Sequence, residues 1–201
     1  MMKKLRATAT LALATLTLAA GPAPMEWNVD VPHSVIGFSV KHFFTPTKGQ
    51  FDDYQIDLVF DRENPANSSV DVRIDVGSVN TGNERRDAHL LSEDFFDAER
   101  FPYITFTSEE VRSVNRSEIV VRGPLTIRDQ TRIVDLPISI LGVKDIPAEM
   151  QEMLGGVEHV ASFETALRID RGDYGVGSGS WAAAAVVGHD VDIEIVVEAN
   201  R

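Results

Sequence analysis

Four polar side chains in one short stretch are the densest chemistry in this sequence: Arg85, Arg86, Asp87 and His89. A guanidinium grips a phosphate or carbonyl oxygen through a planar fork of donors, so Arg86 and His89 are candidate contacts to a polar head group. The same residues better suit a charged helix face whose Arg–Asp pairs orient the helix, since exposed pairs of that kind are common and weak. His42 has the inward parity of its segment and Lys41 the outward one, so His42 could sense a head group or bond to backbone. The five histidines stand at 33, 42, 89, 159 and 189, without H-x-H, H-x3-H or H-E-x-x-H spacing, and cysteine is absent. No metal site is expected from that pattern. There is no G-x-S-x-G elbow and no phosphate-binding loop, so neither a catalytic residue nor a catalytic cofactor is expected. The glycine-rich run Gly175 to Ser180 opens no helix and reads as a loop at a barrel mouth or hairpin.

The elements that must position these groups alternate with period two. Ile36, Phe38 and Val40 share one face; so do Tyr54, Ile56, Leu58 and Phe60, and again Val70, Val72, Ile74 and Val76. The pattern recurs at Ile104 and Phe106, at Ile119, Val121, Leu125 and Ile127, at Val134, Leu136, Ile138 and Ile140, at Phe163, Leu167 and Ile169, and at Val191, Ile193, Ile195 and Val197. Eight such segments describe half-buried antiparallel strands with one apolar and one wetted face. Residues 84–92 break the alternation and predict a short helical crossing; Ile146 to Leu154 predicts a helical turn or a loop ended by Gly155-Gly156. An all-β sandwich and a closed barrel both fit the periodicity. Short intervals between strands, and strands long enough to curl, favour an eight-stranded up-and-down antiparallel barrel, which can fill its interior or hold one small ligand.

Among 201 residues, 43 % are apolar, enough for a core and too many for a disordered chain. The formal charge of −12 becomes −15 without Lys3, Lys4 and Arg6, and so acidic a surface repels nucleic acid. Those three cations open the chain, an uncharged stretch runs from Ala7 to Ala20, and Gly21-Pro22-Ala23-Pro24 ends it. Residues 1–23 therefore read as a cleaved secretory signal peptide, with an uncleaved anchor as the alternative, since the stretch is shorter than the roughly 20 residues a membrane span needs. The expected location is the periplasm.

The stretch His33-Ser34-x-Ile36-x-Phe38-x-Val40-Lys41-His42, with Gly49-Gln50-Phe51 after it, resembles the YceI-like polyisoprenoid-binding family. The most specific block runs from Ser78 through Asn83-Glu84-Arg85-Arg86-Asp87-Ala88-His89-Leu90 to Asp94-Phe95-Phe96 and Phe101-Pro102. Gly123-Pro124-Leu125-Thr126-Ile127-Arg128, Ile169-Asp170-Arg171-x-Asp173-Tyr174-Gly175 and Val187-Gly188-His189-Asp190 resemble later motifs in the same order. Pro124 stands where the family usually has an acid, and Asp129 where it often has glycine. The resemblance spans residues 26–199 and implies a lipocalin-like barrel holding a long isoprenoid (quinone or polyprenyl) or other lipid chain. It makes Ile36, Phe38, Val40, Phe51, Ile104, Phe106, Leu125 and Phe163 candidate chain contacts, with Phe95, Phe96 and Phe101 capping the barrel. Plain core packing is the competing reading for each. Burying on the order of 500 Å² of chain would gain about 12 kcal/mol, against association and ordering costs of about 4–15 kcal/mol. The expected partners are a hydrophobic lipid ligand and, in transient contact, a membrane or membrane protein; a homodimer is compatible. The same barrel with a filled core, acting through its acidic surface, is the alternative function, and a lipid-modifying enzyme the third.

Overall fold

The computed structural model describes residues 25–183 and 185–201; the expected signal peptide lies outside them. Twelve strand segments follow one another: β1 (Glu26–Val29), β2 (Val35–His42), β3 (Thr45–Phe51), β4 (Tyr54–Val59), β5 (Ser69–Asp75), β6 (Val79–Asn80), β7 (Tyr103–Thr107), β8 (Glu110–Asn115), β9 (Glu118–Ile127), β10 (Gln130–Asp145), β11 (His159–Asp170) and β12 (Val187–Asn200). Helix α1 (Glu84–Leu91) lies between β6 and β7, and the short α2 (Ala148–Gln151) between β10 and β11.

The pairings turn twelve segments into eight staves. β1 and β2 both pair with β12 and form one broken stave. β3 and β4 lie against β2 and β1 as the second, β6 and β5 against β3 and β4 as the third. β7 and β8 both lie against β9 as the fourth. β9, β10, β11 and β12 are unbroken, each antiparallel to the one before, and β12 closes the barrel on the first stave. This is a closed eight-stranded up-and-down antiparallel barrel.

Three of the four breaks have a local cause. Pro32 sits in a 3-10 turn that separates β1 from β2 and removes a ladder donor. Between β5 and β6 the Asp75 side chain accepts the Gly77 N–H at 2.7 Å, closing a second 3-10 turn. Between β7 and β8, Gly123 of β9 lets the chain approach: a Cβ there would collide with the Thr107 carbonyl. The periodicity had one segment per stave because β3 carries Pro46, Lys48 and Gly49 on a mostly polar run, and β6 is two residues long.

Inward residues form two clusters, one at each end. At the lower end Trp27, Phe60, Ala161, Phe163 and Ala199 are buried. Trp27 Nε1 donates to the Phe60 carbonyl at 3.1 Å, and the Phe60 and Phe163 rings meet edge to face at 5.0 Å. This packing plugs the barrel. The upper cluster is larger and includes Ile36, Phe51, Phe95, Phe106, Leu125 and Tyr174. Helix α1 starts on an Asn83 cap that accepts the Arg86 N–H at 3.0 Å. Its Leu90 and Leu91, with Phe96 beyond, pack on the upper cluster.

Candidate functional site

A cavity of about 180 Å³ occupies the upper barrel. Its walls come from same-parity positions of successive staves. Ile36, Phe38, Val40 and Phe51 line it, as do Ile104, Phe106 and Leu125. So do Val72, Ile74, Leu136, Leu167, Ile169, Val191, Ile193 and Ile195. Leu90, Phe95, Phe96, Tyr174 and Val176 roof it. The wall is apolar but for Thr165, Arg171 and Tyr174. An apolar void of roughly 150 Å³ stays dry and takes up hydrocarbon, so the chemistry on offer is the shelter of an apolar molecule. Phe38 faces Gly49 directly across the ladder. A Cβ at Gly49 would lie 2.5 Å from the Phe38 ring, so the glycine gives that ring its place.

Two arginines hold the roof. Arg171 is 4 % exposed. Its Nε donates to Gly188 O at 2.8 Å, its Nη1 to Val176 O at 2.8 Å and Gly177 O at 2.7 Å, and its Nη2 to Trp181 O at 2.7 Å and Val187 O at 3.1 Å. Burial lowers its pKa, opposed by the charge of Asp170. Asp170 in turn is held below the usual carboxylate range, chiefly by the Gly172 N–H. The guanidinium thus ties residues 176, 177, 181, 187 and 188 to the end of β11. Arg128 Nη1 donates to Phe95 O at 2.6 Å and Gly175 O at 2.7 Å, and Nη2 lies 3.6 Å from Asp97. It joins the segment after α1 to the same loop. Arg128 and Asp97 both adopt left-handed backbone, φ 56° and 53°, a conformation that persists in non-glycine residues where surrounding contacts hold it.

Four expected contacts lie elsewhere. His42 is exposed and its ring packs edge-on to Phe43 at 4.8 Å; it forms the last pair of the β2–β3 ladder, beyond the point where parity means inside. Arg86 is exposed, and its guanidinium is used on Thr81, through Nε to Oγ1 at 2.6 Å and Nη2 to the carbonyl at 2.7 Å. Asp87 accepts from the same Thr81, at its N–H (3.0 Å) and its hydroxyl. The block pins α1 to the end of β6, the orienting role expected of a charged helix face. His89 bonds Asp94 at 3.0 Å and packs edge-on to Phe95 and Trp181 at 5.0 and 5.2 Å. It supports the roof without lining the cavity. Phe163 belongs to the lower plug and borders a separate void of about 80 Å³.

Arg86→Gln is therefore expected to cost about 1 kcal/mol and lower the melting temperature by roughly 2–4 °C. Lipids with and without a polar head should lose affinity equally; titrating both into wild type and variant checks this.

Sequence reasoning placed Arg171 and Tyr174 in a motif without giving them a role, and passed over Thr165. Thr165 lines the cavity, and its hydroxyl is buried with no hydrogen-bond partner among the described residues. Its inward parity with Phe163 and Leu167 was the available signal. Spacing rules also could not find Asp30, His33 and Glu198, whose donor atoms converge within 4.8 Å at the β1–β2 break. There Asp30 accepts from His33 Nδ1 at 2.9 Å and raises its pKa, first through that hydrogen bond.

The family model of the YceI-like domain matches residues 27–199. A UPF0312 protein of Photorhabdus laumondii is 34 % identical over 181 residues, 87 % of each chain. Protein YceI of Escherichia coli O157:H7 is 31 % identical over 192 residues, 94 % of each. Among solved structures, Burkholderia cenocepacia BcnA superposes with a TM-score of 0.75 at 26 % identity, covering 85 % of this chain and 99 % of its own. A polyisoprenoid binding domain from Saccharophagus degradans shares the fold, with a TM-score of 0.62 at 14 % identity over 88 % of this chain and 98 % of its own.

Proposed function

This chain belongs to the YceI-like family, and from that premise we propose that it carries a long isoprenoid or other lipid chain in the upper barrel cavity, through the periplasm. The observation that carries the reading is the cavity of about 180 Å³, whose wall is apolar but for Thr165, Arg171 and Tyr174. The solved neighbour described as a polyisoprenoid binding domain supports the choice of ligand class. The basic start and the uncharged stretch from Ala7 to Ala20 support export with removal of about the first 23 residues.

Binding of this kind needs no chemistry beyond burial. Each methylene moved from water to the cavity gains about 0.8 kcal/mol, so affinity should climb with chain length until the cavity is full. Arg171 and Tyr174 are the titratable groups on the wall, and Arg171 already spends its donors on five carbonyl contacts.

The test uses the tryptophan at the roof. The chain has two tryptophans; Trp27 sits in the lower plug, while Trp181 packs on the cavity-lining Phe95 at 5.7 Å. Titrating delipidated protein with a polyprenyl alcohol should give a saturable one-to-one change in emission that disappears in Trp181→Phe. Loss of signal in the variant with unchanged binding by mass spectrometry completes the expected result. A titration without saturation, and without bound alcohol by mass, would refute the reading.

A further inference from the structure

The β2–β3 hairpin leaves the barrel rim as Lys41-His42-Phe43-Phe44-Thr45-Pro46-Thr47-Lys48. Phe43 is 56 % exposed and Phe44 93 %. Phe43 has φ 51°, a left-handed conformation that is an outlier for so bulky a residue. Its N–H donates to the Val186 carbonyl at 2.7 Å, which holds the turn against the start of β12. The strain keeps two adjacent phenyl rings turned toward water at the tip. The tip is also next to the cavity. His42 pairs with Val187, and Val187 and Val40 both line the cavity wall.

Charge is distributed unevenly around it. Residues 41–51 contain no acid, and Lys41 and Lys48 are two of the three lysines after residue 25. The nearest acids on the neighbouring stave are Asp190 and Asp192; Asp192 bonds Arg168 at 2.6 Å and also feels the charge of Lys41. A cationic, aromatic tip on an otherwise strongly acidic chain complements one kind of surface. Phenyl rings enter the boundary between head groups and acyl chains, while lysines stay at the level of the phosphates. An acidic protein partner would satisfy the lysines but give the phenyl pair no matching depth.

We infer that the β2–β3 hairpin is a docking tip that seats the cavity rim on an anionic lipid surface. Its purpose, transfer of a lipid between bilayer and barrel, rests on the carrier reading; the binding itself does not.

Flotation of the mature protein with vesicles of phosphatidylglycerol and phosphatidylcholine, and with phosphatidylcholine alone, tests it. Wild type should float with the anionic vesicles and release as salt rises. Phe43→Ser with Phe44→Ser should lower partitioning at least about tenfold on either vesicle. Lys41→Gln and Lys48→Gln should each lower it roughly fivefold on anionic vesicles only. Phe44→Trp should add an emission component that shifts to the blue with vesicles. The inference is overturned if wild type stays soluble at low salt, or if the double serine variant floats like wild type. It is also overturned if that variant merely dissolves a dimer, which would make a second copy the occupant. Lipid held inside the barrel, measured on the same samples, separates the two claims. An empty barrel with intact vesicle binding refutes the carrier and leaves the docking tip standing.

Discussion

Arg171→Met is expected to lower the melting temperature by about 6–20 °C and to empty the barrel. The side chain is buried and donates five hydrogen bonds to carbonyls of residues 176, 177, 181, 187 and 188. Methionine fills similar space but leaves those acceptors without donors. Breaking a buried charged network costs about 3–5 kcal/mol, and about 2–4 °C per kcal/mol is usual for a domain of this size. Removing a desolvated charge offsets part of the loss, which is why the figure is not larger. Arg171→Lys should recover only a minor part, because a compact ammonium with three donors cannot span contacts arranged for a planar fork. Thermal melts by circular dichroism, with lipid content measured alongside, check both effects. A melting temperature within about 2 °C of wild type would mean that the roof does not depend on Arg171.

The second large effect is expected from filling the cavity. Leu167 lies three residues before the end of β11 and faces the cavity. Leu167→Trp places an indole where the lipid chain would lie, and the void of about 180 Å³ admits it without displacing the walls. The barrel should stay folded, with a stability change below about 1.5 kcal/mol, while bound lipid falls at least tenfold. Phe106→Ala, which enlarges the same cavity, is expected to cost about 3–5 kcal/mol and keep its lipid. Full lipid occupancy in folded Leu167→Trp would place the ligand elsewhere on the molecule.

The alternation of apolar residues made the barrel legible because each unbroken stave obeys it. In β9, Ile119, Val121, Leu125 and Ile127 are all buried. The same parity names inward residues, and nine of the thirteen expected contacts do line the cavity. Parity does not say how far along the axis a residue sits. Phe163 and Leu167 share a face of β11, yet four residues of strand separate them by about 13 Å, which puts one in the lower plug and the other on the cavity wall. His42 shows the other limit, since parity loses its meaning where a ladder ends in a hairpin. Arg171 was unreadable for a different reason. An arginine after an alternating run ordinarily marks the surface, and its partners here are backbone carbonyls whose positions depend on the folded loop. Residue types could not announce them. The Arg86–Asp87 block was visible as an orienting helix face, but its partner, Thr81, was not.

The most direct measurement is mass spectrometry of the purified mature protein, first intact under native conditions and then after solvent extraction. The expected result is one apolar chain molecule per barrel, present in wild type and absent from Leu167→Trp. A native mass equal to the bare polypeptide, with no extractable lipid after exposure of the protein to a total membrane extract, would contradict it.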